Sequence, residues 1–178
     1  MIKYKLLYEQ CVEIWKQDLE FSKILTDKAR TYVMVIGIVF GYSLFNIDTF
    51  YRSLQTTFGK EPPTVAYYLL KTTSVLFMLY FICFAISLIF TLISLRIRTY
   101  SSLPILSEIA KFKERGPTDV ELEHQYYDWS DMVQKAIKDN ERKIAHQGLC
   151  LTIAIWFLTI GAISFILIGC LFIYGKLL

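Results

Sequence analysis

A chain of 178 residues with 54% hydrophobic and 20% charged side chains is too apolar for an ordinary soluble domain with one core. The net charge of +3 excludes little by itself, so the placement of the charges carries the argument. The four cysteines provide no disulfide framework: Cys83, Cys150 and Cys170 lie in or beside apolar stretches and Cys11 in a polar one, where they read as small packing residues.

Residues 1–30 carry apolar groups at Tyr4, Leu7, Cys11, Ile14, Trp15, Phe21 and Leu25 with charges between them. That spacing predicts an amphipathic helix. Lys3 and Lys5 are followed by acidic residues rather than an apolar run, so no cleavable signal peptide is expected. Six basic and five acidic residues mix in this segment, which favours packing against protein over lying on a lipid surface.

Thr31–Ile47, Thr72–Leu95 and Leu149–Gly175 contain no Asp, Glu, Lys or Arg over 17, 24 and 27 residues. A helix rises about 1.5 Å per residue, and about 20 apolar residues cross the hydrocarbon layer. The second and third stretches meet that length, and the first meets it with neighbours such as Phe50. Fifteen of the 19 Lys and Arg residues fall in 1–30 and 96–148. Excess positive charge marks the cytoplasmic side. The expected topology therefore has the N-terminus and 96–148 in the cytoplasm and the C-terminus outside. The short loop holding Gly59, Pro62 and Pro63 faces outward, and Tyr42, Phe45, Phe50, Tyr51, Tyr67, Tyr68 and Tyr174 form an outer aromatic belt.

Beyond the second span, Ser101-Ser102-Leu103-Pro104 interrupts the helix, because proline lacks a donor and restricts the residue before it. A short helix over 105–114 ends at Gly116-Pro117. Thr118-x-x-Glu121 then forms a capping box that opens the next helix. Leu122, Tyr126, Trp129, Val133, Ala136 and Asn140 follow at steps of four and three, a seam for another helix with a polar residue that can fix register or oligomer state. Gly148 is the only breaker before the third span, so helix and span read as one rod. The fold class is all-α: three transmembrane helices with cytoplasmic amphipathic helices in a homo-oligomeric membrane bundle. Its parts are the cytoplasmic helix 1–30, the first two spans with a short outer loop over 31–95, the cytoplasmic helices of 96–148 and the last span in 149–178.

Catalytic and metal chemistry find no constellation. His124 and His146 are the only histidines, and Glu121-x-x-His124 is half of a di-metal motif that needs further carboxylates and a second histidine. No phosphate-cradling loop or nucleophile elbow is present. No catalytic residue, metal ligand or cofactor is assigned. Three helices leave no room for a water path in one chain, but a symmetric homo-oligomer removes that difficulty. Gly37 and Gly41 form a GxxxG pair that allows close helix approach, and with Trp129 and Asn140 they are the expected oligomer interface. Thr73, Tyr80, Ser87 and Ser94 recur every seven residues with Thr91 beside them. This hydroxyl stripe is the expected pore lining; the competing reading has each hydroxyl bonded to a carbonyl one turn back. Asn46 and Asp48 form an outer mouth, opposed by Lys71.

Lys135, Lys138, Arg142 and Lys143 lie along one helix, with Arg96 and Arg98 at the end of the preceding span. Such a face binds lipid phosphates or a nucleotide-type ligand. Nine acidic residues balance nine basic ones in 96–148, which equally fits a solvated, salt-bridged face. Tyr126, Tyr127 and Trp129 are surfaces on which bases stack, though their spacing fits helix packing better.

The order of parts, with Tyr127-x-Trp129 and Ile137-x-x-Asn140-x-x-Lys143 leading into a last span, resembles small transmembrane effectors of bacterial anti-phage systems: SLATT-type pore formers and the membrane component of Hailong-type defence. The third span departs from the two-span SLATT plan. The resemblance implies an oligomeric ion channel of the inner membrane that collapses membrane potential during infection. A nucleotide or oligodeoxyadenylate signal from a partner nucleotidyltransferase would control it. Four or five subunits, a tetramer or pentamer, suit a narrow pore. The rivals are a non-conducting anchor that docks a cytoplasmic partner and a pore-forming toxin without ligand control.

Overall fold

A computed structural model describes residues 2–58, 63–97, 111–112 and 114–177. Four helices account for nearly all of them: α1 (Ile2–Phe45), α2 (Ile47–Phe58), α3 (Pro63–Arg96) and α4 (Asp119–Leu177). Among the described residues there is no strand. α3 and α4 are each long and apolar enough to cross a membrane. α1 and α2, bent by 56° at their junction, meet the same criterion as a pair, so the chain has two such spans, or three with the bent pair. Arg98, Gly59, Pro62 and the interruption at Ser101–Pro104 lie outside the described residues, as does most of the helix expected over 105–114.

Each helix boundary has a local cause. Asn46 turns its amide Nδ2 onto the Tyr42 carbonyl at 2.9 Å, beside its own backbone N–H at 3.1 Å. An asparagine that competes for the helix carbonyls bends the chain there. α3 opens at Pro63, where a missing N–H costs no helical bond. Gly116 has a φ of 65°, a left-handed conformation that a side chain would strain. The capping box forms: Thr118 N–H donates to Glu121 Oε2 at 2.8 Å, and Glu121 N–H points back to Thr118 Oγ1 at 3.4 Å. The Thr118 hydroxyl, 2.7 Å from Glu121 Oε2, and then the Thr118 N–H hold the Glu121 carboxyl below its usual range. α4 then runs 59 residues without a break, through Gly148 and Gly161.

The chain divides into two compact units: unit 1 from Met1–Asp27 and Arg96–Gly148, unit 2 from Lys28–Leu95 and Leu149–Leu178. In unit 1 the pairs Tyr4–Tyr127, Cys11–Gln134 and Thr26–Gln147 advance together along α1 and α4, so the two helices run parallel. The core holds Cys11, Tyr126, Trp129 and Val133, with Tyr8, Trp15 and Phe112 packed against it. The seam of Trp129 and Asn140 is thus filled by α1 of the same chain. Ile14 and Phe21, expected on the packed side of that helix, are exposed.

In unit 2, Ser43–Tyr80 and Phe40–Phe84 place α1 antiparallel to α3. Tyr80–Phe165 and Ser87–Ala154 do the same for α3 and α4. Ile36, Tyr80 and Phe84 form the centre. Phe84 lies over Gly161, where an added Cβ would meet its ring at 2.7 Å. α2 extends into the segment expected to be loop. It buries Leu54 and Phe58 and stacks Phe50 on Phe77 at 4.9 Å.

Candidate functional site

The hydroxyl stripe is brought together, but inside unit 2. Thr73, Tyr80, Ser87, Thr91 and Ser94 are all at most 1% exposed. Thr73 donates to the Leu69 carbonyl at 2.8 Å and Thr91 to that of Ser87 at 2.7 Å, the one-turn-back bonding weighed against a pore lining. Two members reach other helices instead. Ser87 Oγ donates to the Ala154 carbonyl of α4 at 2.8 Å, and the Tyr80 hydroxyl lies 2.6 Å from Ser43 Oγ of α1. A satisfied hydroxyl between helices holds them in register. In this conformation the stripe therefore ties α3 to both neighbours.

The basic face is divided. Lys135 bonds Asp131 and Lys143 bonds Asp139, both at 2.6 Å and both one turn apart on α4. The bond to Asp131 lifts the Lys135 pKa above its ordinary value. Lys138 and Arg142 are exposed, and no ion pair among the described residues engages either of them. Arg96 ends α3 and is also exposed. Among the described residues these three are the exposed cations of the expected ligand face without an ion pair. Of the aromatic group, Tyr126 and Trp129 are buried, while Tyr127 is exposed beside Tyr4, Val120, Glu123 and His124 around an open cleft of about 460 Å³.

At the expected outer mouth, Asp48 pairs with Arg52 at 3.2 Å on exposed α2, and Asn46 is the bend residue. Nothing lies within 4 Å of a Cβ added at Gly37, Gly41 or Gly169, so those faces are open in a single chain. Among the described residues no group of three His, Cys, Asp or Glu side chains is placed to hold a metal; Glu121 is committed to the helix cap.

Two features went unread in the sequence. One is a layer of buried polar atoms in unit 1. The α1–α4 register sets Asp18 level with Asn140 and Glu141. Neither amide atom of Asn140, nor Asp18 Oδ2, nor Trp15 Nε1 has a hydrogen-bond partner among the described residues. Burial, and then the Glu141 charge, push the Asp18 carboxyl above its usual range. The other is an apolar cleft of about 270 Å³ between α2 and α3.

Comparison of the chain with known protein families, with curated proteins and with solved structures gives no match. The reading of function rests on the geometry.

Proposed function

We propose that the chain is a three-span inner-membrane effector that assembles with copies of itself into an ion-conducting path. A cytoplasmic nucleotide-type signal would set its state, as in the anti-phage effectors its layout resembles. The observation that carries this reading is the continuity of α4. One unbroken helix holds the exposed cations Lys138 and Arg142 and the longest uncharged stretch, Leu149–Gly175. A ligand that favours one placement of α4 shifts the channel equilibrium only as far as it binds the two states differently.

On this reading the sealed hydroxyl stripe belongs to a closed state. Opening parts α3 from α4 at Ser87 and Ala154 and turns the stripe toward a path shared with neighbouring copies. Unit 1 supports the third crossing. Residues 1–27 and 96–148 pack together, which favours one shared side of the membrane. With α3 crossing once between them, α1 would cross as well. The positive charge of both segments supports a cytoplasmic side.

Purified protein in planar bilayers tests the reading. It should conduct, and an oligodeoxyadenylate added on the unit 1 side should change the open fraction. Lys138→Gln with Arg142→Gln should weaken that control about tenfold, the worth of one or two charge-assisted contacts, without altering insertion. A specific observation favours a second reading, a non-conducting anchor for a cytoplasmic partner: the stripe is fully packed and two cations of the basic face, Lys135 and Lys143, are neutralised. A silent bilayer would decide for it.

A further inference from the structure

We infer that the cleft between α2 and α3 binds one acyl chain of a glycerophospholipid, with the lipid phosphate held at Lys71; this rests on the reading that unit 2 lies in a membrane. The cleft is walled by Ile47, Phe50 and Leu54 from one helix and Phe77, Met78 and Phe81 from the other. Tyr51 lines it as well, and the two aliphatic hydroxyls of the cleft spend their protons within α3. Thr73 donates to the Leu69 carbonyl and Ser74 to the Leu70 carbonyl, both at 2.8 Å. The lining is therefore mostly carbon, and a polar ligand entering it would lose most of its water without compensation.

Size narrows the guest further. A helix with side chains is about 10–12 Å across, too wide for a cleft of about 270 Å³. A single hydrocarbon chain fits, and an empty apolar cavity forfeits the dispersion contacts of its lining. Charge identifies the other end of the guest. Tyr67, Lys71, Ser74 and Met78 follow one row of α3 at steps of four, three and four. Lys71 thus stands one turn from the cleft wall on the side away from the span centre. Its Nζ lies 5.8 Å from the Tyr67 ring centroid, so the stem points outward as snorkelling lysines do. It is exposed and, among the described residues, has no carboxylate partner. An ammonium above an apolar slot is the complement of a phosphate above an acyl chain.

The test uses the full chain in nanodiscs containing phosphatidylglycerol with a photoactivatable group in one acyl chain. Labelled peptides are then located by mass spectrometry. Labelling should concentrate at Phe77 and Met78 over the exposed positions Ile82, Ile89 and Ile166. Ser74→Trp, which fills the slot, should reduce the cleft signal about tenfold, as expected when burial of two or three methylene groups is denied, and leave the other positions unchanged. Lys71→Glu leaves the wall intact and should shift competition toward phosphatidylcholine, which keeps the inference testable if the tryptophan variant folds poorly. Equal labelling at Met78, Ile82 and Ile89, indifferent to both substitutions, would overturn the site while leaving the spans in lipid. Absence of labelling at all of these positions would overturn the membrane reading with it.

Discussion

Asp18 shows how one residue can set the pH response of unit 1. Burial beside Asn140 and across from Glu141 disfavours its charged form, so its folded pKa lies above the ordinary 3.8. A group raised in this way stabilises the packed state fully below the ordinary value, and that contribution is lost as pH rises through the raised one. Unit 1 should therefore tighten on acidification. Protection factors of the Cys11–Asp27 amides, that is, exchange corrected for its intrinsic pH dependence, should rise in the wild type as pH is lowered from neutral and change much less in Asp18→Asn. Equal slopes in the two proteins would remove Asp18 from the account. The sequence exposed Asn140 as a polar member of a seam, because its place at steps of four and three is explicit. It did not expose Asp18: the residue sits among other charges on α1, and only the parallel register with α4 sets it inside.

Helix periodicity shows that a face is covered and is silent about what covers it. The seam of Trp129 and Asn140 is legible, and within the chain α1 packs against its Trp129. α2 was missed for a related reason. Ile47, Phe50, Leu54 and Phe58 are helically spaced, but Asp48, Arg52 and the following Gly and Pro residues give the segment the composition of a loop. The glycines separate in the same way: Gly37, Gly41 and Gly169 stand open, and packing distinguishes Gly161. At Gly161 an added Cβ would stand 2.7 and 2.8 Å from two ring atoms of buried Phe84 and 3.4 Å from Cys83 Cβ. Gly161→Ala should destabilise unit 2 by about 1–3 kcal/mol through overpacking, seen as a lower unfolding midpoint in detergent. Gly41→Ala meets nothing within 4 Å and should leave that midpoint unchanged while altering any self-association through the open face. If the two variants behave alike, the close α3–α4 approach is not what holds unit 2 together.

For the whole molecule, packing bears on the number of crossings, which length and composition leave at two or three. Length and composition make α3 and α4 the two clear spans and leave α1 conditional on its bend. With only those two spans, residues 1–27 and 96–148 would lie on opposite sides of the bilayer. Yet Tyr4 meets Tyr127 with ring centroids 5.6 Å apart, and Thr26 accepts a bond from Gln147 at 3.2 Å. Those contacts cannot form across a hydrocarbon layer about 30 Å thick. On the three-span reading α1 therefore passes through as well, although its uncharged stretch is only 17 residues; the Asn46 bend hands the chain to amphipathic α2, whose apolar side packs on α3. Single cysteines placed in a cysteine-free background decide the matter. Gln17→Cys and Lys138→Cys should react with a membrane-impermeant maleimide only from the cytoplasmic face, and Ser53→Cys only from the opposite face. Labelling of Gln17→Cys and Ser53→Cys from the same side would leave α1 outside the bilayer and break unit 1 apart as a physical object.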